Sequence, residues 1–475
     1  MPQRNKLVIA TENTEDTEKI NCKLIRKKIS TNINLQNLVQ YYSSLTNSSI
    51  LGGSDLISER NRYSYFCAEP LEIFQFNNTD EKPFEKLKTV LNKYRLESVP
   101  DGVFTGGWVG FFSYDLNSFI EDIGQTREDT VGLPLIRLCF YDKVICFDHL
   151  EKCFHLFSIE FDNDGEGKIQ KLENILNNIN EPMCSAVGQT HRSAPTLDAR
   201  FQSNMTQDVY LESVDKIKKH IYDGDVYQIN FSQCFNADFK SDAHKLFLWQ
   251  NEFNPSPYSA YLDAGDYKIV CASPELFLDV NNGKITTCPI KGTRARTGEE
   301  IADEKNYDEL VSSEKEKAEL DMIIDLERND LGRICEYGTI KVDKRRDIEK
   351  FSTVFHAVST ISGKLKKEID FTEILKAMFP GGSITGAPKI SAMKIINSLE
   401  PTRRGLYTGS IGWIDLCGNA CLNIVIRTII IKSGKAYVQV GGGIVADSEP
   451  LAEWNETLVK AKALLAGINS VQRLA

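Results

Sequence analysis

The sequence predicts an α+β fold built on large antiparallel sheets, and three observations lead there. Segments with the alternating or continuously apolar character of strands recur along the whole chain. The recognisable helices are few, and they stand between and after groups of strands instead of following each one. The composition is that of an ordinary globular protein, 41 % hydrophobic and 26 % charged over 475 residues, which is enough for two or three domains or one large unit.

Taken in order, residues 104–114 (FTGGWVGFFSY) and 138–161 read as strands, the second as a hairpin turning near Asp148 and His149. Residues 162–195 combine acidic and glycine turns, a helix over 169–178 and a Ser/Gly/Pro stretch. Residues 166–200 are therefore the expected linker between a β-rich part, 1–165, and a second part, 201–475. The second part opens with a helix in which Tyr210, Val214, Ile217 and Ile221 recur at steps of four, three and four, closed by Gly224. Strands are expected over 226–236, 258–262, 269–272 and 276–280. A helix over 313–328 opens on a Ser313–Glu316 capping box. A strand over 351–362 comes next, then a helix after Pro388 with proline near its first turn. Strands over 423–431 and 436–441 lead to a last helix over 450–465.

The same numbers exclude several functions. The net charge of −10 and the lack of a basic run interleaved with aromatics argue against a nucleic-acid partner. No run approaches the ~18 apolar residues of a membrane span. Residues 1–17 mix charges without an apolar core, unlike a secretory signal. The twelve cysteines are scattered, with no Cys-x-x-Cys. Several, including Cys139, Cys146, Cys234 and Cys271, lie in strand-like runs and read as small buried hydrophobes of a reducing, cytoplasmic compartment. With only six histidines, this spacing argues against zinc.

The densest chemistry lies in residues 287–296 (TCPIKGTRAR). Lys291 stands between a proline turn and Gly292, with Glu275 upstream in Ser-Pro-Glu. A loop lysine is ordinarily a solvated charge, but beside a carboxylate it can serve as a nucleophile with a nearby acid. Glu316 and Glu319 share one helix face, and Glu453 and Glu456 repeat the spacing with Lys460 one turn on. Such pairs are common on surface helices. Two of them facing each other can hold a divalent cation through oxygen, and Mg2+ fits this pattern. Residues 381–386 (GGSITG) open onto an expected helix N-terminus, either as an anion site or as a plain glycine turn. Gly441, Gly442 and Gly443 read as a tight loop over a ligand. Arg427, in an apolar strand-like run, needs a partner, which could be a substrate carboxylate or an internal acid. His356 reads as a polarising or acid–base group, or as a satisfied core histidine. Together these describe a site for a small dianion with a lysine and an acid between its carboxylates.

These segments resemble the chorismate-utilising enzymes. The likeness is carried by SPE (273–275), PIKGTRAR (289–296), EKAELDMIIDLERNDLGR (316–333), FHAVSTISG (355–363), FPGGSITGAPK (379–389), GSIGW (409–413), IRT (426–428) and GGGIVADSEPLAEWNET (441–457). It covers about 209–465, and looser matches lie at LGGSDLISERNRYSYFCAEP and GGWVGFFSYD. The resemblance implies two sheets stacked as a sandwich, helices outside, two intertwined subdomains and the site between them. It implies Mg2+ on Glu319 and Glu456, with Glu316 and Glu453 close by or acting through water. It implies chorismate carboxylates near Ser383, Tyr407, Arg427, Gly442 and Lys460, Thr293 and Gly443 in the same substrate-binding set, and His356 beside the ring.

Within the family, PIKGT resembles the aminodeoxychorismate synthase branch and PIAGT the anthranilate synthase branch. The resemblance thus implies Lys291 as nucleophile and Glu275 as general acid. An isochorismate or salicylate synthase, or a non-catalytic sensor, is a more distant alternative. No glutaminase signature (G-x-C-x-G with a downstream His-x-Glu) is found, so a separate glutamine amidotransferase subunit is the implied partner. Segments around Ser54, Tyr63 and Pro255 resemble a tryptophan pocket of some members. Because Gly53-Ser54 replaces a Leu-Glu-Ser feedback motif, tryptophan there is expected to be structural or weakly regulatory.

Overall fold

Two antiparallel sheets pack face to face, and each carries helices on its outer side. The computed structural model describes residues 19–31, 33–54, 62–77, 82–124, 127–179, 201–351 and 354–473. Among the described residues one sheet has twelve strands; Gly386–Ala387 is a side branch on Gln228–Asp238, and the main path runs from Gln202–Ser203 through Gln228–Asp238, Lys435–Ile444, Thr428–Lys432, Tyr267–Ser273 and Tyr258–Asp263. It continues through Ser49–Leu51, Tyr63–Cys67, Lys143–Asp148 and Cys153–Glu160 to Lys23–Ile29. The other has ten, including Ile290–Ala295, Val354–Lys364, Lys284–Cys288, Leu276–Asn281, Ala420–Asn423, Ser410–Asp415, Gly107–Phe112 and Ile136–Tyr141. Both sheets draw strands from before residue 165 and after residue 200, so the two parts share one hydrogen-bonded framework.

Alternation explains the layers. Tyr65, Cys146 and Ile269 of the first sheet meet Val109, Cys139 and Trp413 of the second in the central core. The outer face of the first sheet is covered by the helices Leu35–Ser43, Gly165–Asn178, Ala243–Phe253 and Pro450–Arg473. Pro83–Leu91, Glu314–Ile334 and Phe371–Met378 cover the second. No described helix is long and apolar enough to cross a membrane.

The expected hairpin is present as Lys143–Asp148 and Cys153–Glu160. The helix expected from Ser313 is present as Glu314–Ile334, with the Ser313 hydroxyl accepting from the Glu316 N–H. Three expectations need correction. The strand expected over 423–431 is broken between Ala420–Asn423 and Thr428–Lys432. Arg427 lies in the break with φ +50°, because the chain passes there from one sheet to the other. Gly441, Gly442 and Gly443 form no loop: they continue the strand Lys435–Ile444, opposite Ser232, Phe231 and Asn230. The Gly381–Gly386 segment does not open directly onto a helix. A 3-10 turn, Gly382–Ile384, and a short bridge to Gln228 and Ile229 precede the helix Lys389–Leu399.

Gly110 and Gly412 face each other at the centre of the second sheet. A Cβ on Gly110 would lie 1.9 Å from the Arg137 carbonyl oxygen, so the strands must separate to admit it. Gly110→Ala is expected to lower unfolding free energy by at least about 2 kcal/mol, read as a fall in the urea midpoint at unchanged m-value.

Candidate active site

Two chain crossings between the sheets build the centre of the site. The first runs through Ser273, Pro274 and Glu275, between the strands Tyr267–Ser273 and Leu276–Asn281. The second is the 424–427 break. They bind each other: Ile424 N donates to Glu275 O at 3.0 Å, Ala272 N to Arg427 O at 3.1 Å and Ser273 Oγ to Ile424 O at 2.5 Å. Glu275 and Arg427 are thereby brought together from 152 residues apart. Arg427 forms no ion pair within 4 Å among the described residues; burial lowers its pKa and Glu275 opposes the shift. Glu275 is 4 % exposed and accepts from Ser383 Oγ at 2.6 Å and Ile290 N at 3.3 Å. Burial raises its pKa, against the pull of Ser383 and Lys291, which favours a protonated acid.

Lys291 owes its direction to a β-bulge. Ile290 pairs with Val358 and Thr293 with His356, so one extra residue is accommodated at Lys291-Gly292, and Gly292 takes φ +87°. The Lys291 ammonium points toward the strand Lys435–Ile444, 3.6 Å from where a Cβ on Gly443 would lie. Burial lowers its pKa; Glu319 and Glu275 resist, and Lys460 adds to the lowering. An amine held this way is closer to the neutral, nucleophilic form.

Beside it, His356 Nδ1 is 2.8 Å from Thr293 Oγ1, while Nε2 is buried with no partner. Burial, with Arg427 adding, pushes the imidazole down to about 3, so it is neutral at physiological pH. The Thr293 hydroxyl orients this ring.

The glutamate pairs come from opposite sides, Glu316 and Glu319 on Glu314–Ile334, Glu453 and Glu456 on Pro450–Arg473. Burial raises Glu319, and the charges of Glu316 and Glu456 reinforce the rise. Burial also raises Glu453, against a hydrogen bond from Ser448. Burial works upward on Glu456 too, but Lys460, with Lys291 and Lys315, outweighs it and holds the carboxyl low. Lys460 Nζ is 2.7 Å from Glu456 Oε1 and donates to Gly441 O at 2.9 Å.

Glu316 Oε2 and Glu453 Oε2 are buried without partners, and both face glycines. A Cβ on Gly292 would meet Glu316 Oε2 at 2.8 Å, and one on Gly442 would meet Glu453 Oε2 at 3.2 Å. These orphaned oxygens from two helices fit a hard divalent cation. The carboxylates are spread around the opening, and among the described residues no three of them converge within 4.8 Å.

Ser383 is thus turned to Glu275. Tyr407 is buried, 5.7 Å from the Arg404 guanidinium. The segments of Ser54, Tyr63 and Pro255 lie at neighbouring strand ends, where Leu51 pairs with Tyr65 and with Ala260. Ser54 Oγ is buried there with no partner.

Sequence reading missed Glu327, which sits under the glycine turn and accepts from Gly382 N at 3.1 Å. Burial and Asp330 push it up to about 7. It also missed Arg294, which donates to Glu316 Oε1 at 2.8 Å, and Gln228, whose amide packs where a Gly443 Cβ would be. The helical step from Leu320, Ile323 and Ile324 to Glu327 was the available signal for the first.

A buried carboxyl, a lysine amine, an imidazole and a guanidinium thus come together between the two sheets. Residues 55–466 match the family model described as chorismate binding enzyme, and the chain belongs to that family. It is 40 % identical over 385 residues to aminodeoxychorismate synthase component 1 of Bacillus subtilis (80 % of this chain, 79 % of the relative). It is 37 % identical over 409 residues to anthranilate synthase component 1 of Acetivibrio thermocellus (81 % and 80 %). The crystal structure of anthranilate synthase component I from Streptococcus pneumoniae superposes with a TM-score of 0.75 at 34 % identity, covering 86 % of this chain and 93 % of that one.

The buried neutral histidine has a measurable consequence. Its folded value, about 3, lies below the unfolded value of about 6.5, so between them the unfolded chain binds a proton that the folded chain does not. This contribution is complete above pH 6.5 and is lost as pH falls, by up to about 1.4 kcal/mol per unit. Unfolding free energy from urea titrations at pH 7.5 and 5.0 should therefore fall less in His356→Gln than in the wild type.

Proposed function

We propose that the protein converts chorismate and ammonia to 4-amino-4-deoxychorismate, as aminodeoxychorismate synthase component I. The observation that carries this reading is the desolvated Lys291 amine, aimed by its bulge into the cleft that holds the buried Glu275. In the reaction, neutral Lys291 Nζ adds to C2 of chorismate while the C4 hydroxyl leaves as water with the proton of Glu275. Ammonia then adds at C4, the C2–N bond to lysine breaks, and the surplus proton returns to the Glu275 carboxylate. One difficult substitution is thereby divided into two. Arg427 and Lys460 attract the substrate carboxylates, with the Ser383, Tyr407, Gly442 and Gly443 surfaces around them. Neutral His356, oriented by Thr293, lies against the ring without competing for protons.

Glu319 and Glu456, with Glu316 and Glu453 directly or through water, would hold Mg2+. The ion supplies positive charge to a substrate carboxylate when bound. Ammonia comes from a separate glutamine amidotransferase subunit in a cytoplasmic heterodimer. Ammonium salts at high pH are expected to support turnover by the chain alone, and glutamine only when that subunit is added. Tryptophan at the Ser54, Tyr63 and Pro255 segments is structural or weakly regulatory in this reading.

The rival reading is anthranilate synthase component I, favoured by relatives of that name at comparable identity. Chromatography of products from chorismate, Mg2+ and ammonium separates the two, and mostly anthranilate from the wild type would establish the rival.

Lys291→Ala should lose the covalent step, slowing aminodeoxychorismate formation by at least about 100-fold with little change in chorismate affinity. Its residual product should shift toward amination at C2, including anthranilate; a near wild-type rate would remove Lys291 from the mechanism. Glu319→Gln should abolish turnover and calorimetric Mg2+ binding. Its metal-free Tm should equal or exceed that of the wild type, because one of several mutually repelling, partly buried carboxylates is gone.

A further inference from the structure

Outside the cleft, one cluster brings together side chains of three metal-binding types. Among the described residues, the only three or more His, Cys, Asp or Glu side chains whose ligand atoms all lie within 4.8 Å of one another are Glu151, Cys153 and His155. They sit at the tip of the hairpin formed by Lys143–Asp148 and Cys153–Glu160. Cys153 and His155 are two apart on a strand and so point to one face. The intervening turn folds Glu151 back over that face. Asp148 Oδ1 fixes the turn by accepting from Leu150 N at 2.9 Å and Glu151 N at 3.1 Å, and Lys152 adopts φ +52°.

The spacing has a specific chemical meaning. Cys153 Sγ is 3.5 Å from His155 Nε2 and 3.8 Å from Glu151 Oε2. Ligands at Zn–S of about 2.3 Å and Zn–N or Zn–O of about 2.0–2.1 Å, set at tetrahedral angles, stand about 3.6 Å apart. The thiol and imidazole thus already have the separation of two ligands on one zinc ion, and the carboxylate oxygen stands 3.8 Å from the sulfur and within 4.8 Å of the imidazole nitrogen, close enough to complete the set by a side-chain rotation. Sulfur and nitrogen donors select zinc over magnesium, so this site would not compete for the ion of the glutamate cleft.

Lys28, on the edge strand opposite His155, places its ammonium 2.5 Å from Glu151 Oε2. Arg62 is 3.5 Å from Glu151 Oε1 and is itself held by Asp148. The Lys28 side chain is 55 % exposed and can swing into water, which makes it a displaceable cation on the very oxygen a metal would use.

We propose that Glu151, Cys153 and His155 form a zinc site with three protein ligands and a fourth position for water, and that when no metal is bound Lys28 neutralises the Glu151 carboxylate in its place. Binding deprotonates the Cys153 thiol and releases one proton to solvent.

Co2+ and Zn2+ titrations of the full chain in excess Mg2+ test this. The expected result is one thiolate-to-cobalt charge-transfer band in the near ultraviolet, reversed by an equivalent of Zn2+, with about one proton released per zinc in calorimetry across buffers of different ionisation enthalpy. Cys153→Ser should abolish the band. His155→Ala should weaken zinc binding by at least about 100-fold, and Lys28→Met should strengthen it about tenfold by removing the competing charge. Should Cys153→Ser fail to fold, the opposite signs expected for His155→Ala and Lys28→Met still decide. A chain without a cobalt band, a band that survives Cys153→Ser, or affinity unchanged in both His155→Ala and Lys28→Met overturns the proposal.

Discussion

Two pieces of backbone that pass from one sheet to the other, hydrogen-bonded to each other, carry the organisation of the cleft. Each crossing has left strand geometry and so presents main-chain groups that the sheets do not pair. The crossings pair them: Ile424 N with Glu275 O, Ala272 N with Arg427 O, and the Ser273 hydroxyl with Ile424 O. An unpaired buried amide is costly, so the two crossings are stable only side by side. That requirement puts a buried carboxyl and a partly buried guanidinium at the mouth between the sheets.

The cleft is electrostatically expensive, and its neighbours keep it from collapsing. Glu316, Glu319, Glu453 and Glu456 repel one another, yet Lys291, Lys315 and Lys460 lie among them, and Arg294 anchors Glu316. The absence of side chains at Gly292 and Gly442 leaves carboxylate oxygens room beside the backbone. Lys291 is the point of balance. Burial favours its neutral form and the glutamates its charged form, so occupation of the glutamate cleft by a cation would shift the amine further toward neutrality.

Legibility followed local physics. The helix Glu314–Ile334 was readable because its cap, apolar period and glutamate spacing are all local. The hairpin around Asp148 and His149 was readable by alternation. Helix Glu300–Ser312 was not, since only Leu310 is buried and no apolar stripe marks it. Arg427 looked like part of one strand because apolar residues flank it, and nothing local announces that the chain changes sheets there. Three successive glycines suggested a loop by entropy, but pairing with Gln228–Asp238 supplies the hydrogen bonds that make a glycine strand stable. Glu327 escaped notice because its importance comes from the glycine turn packed on it, 55 residues later.

By itself, the sequence determined the α+β class, five of the ten described α-helices, the two glutamate pairs and the lysine-bearing motif, because helical period, capping and residue type act within a few neighbours. Only the tertiary structure decided that the 424–427 segment crosses between sheets beside Glu275, that Lys291 is aimed by a bulge, that His356 is neutral, and that Glu151, Cys153 and His155 converge. Each of these depends on which strand lies opposite and on how deeply the group is buried, and both are properties of contacts far apart along the chain.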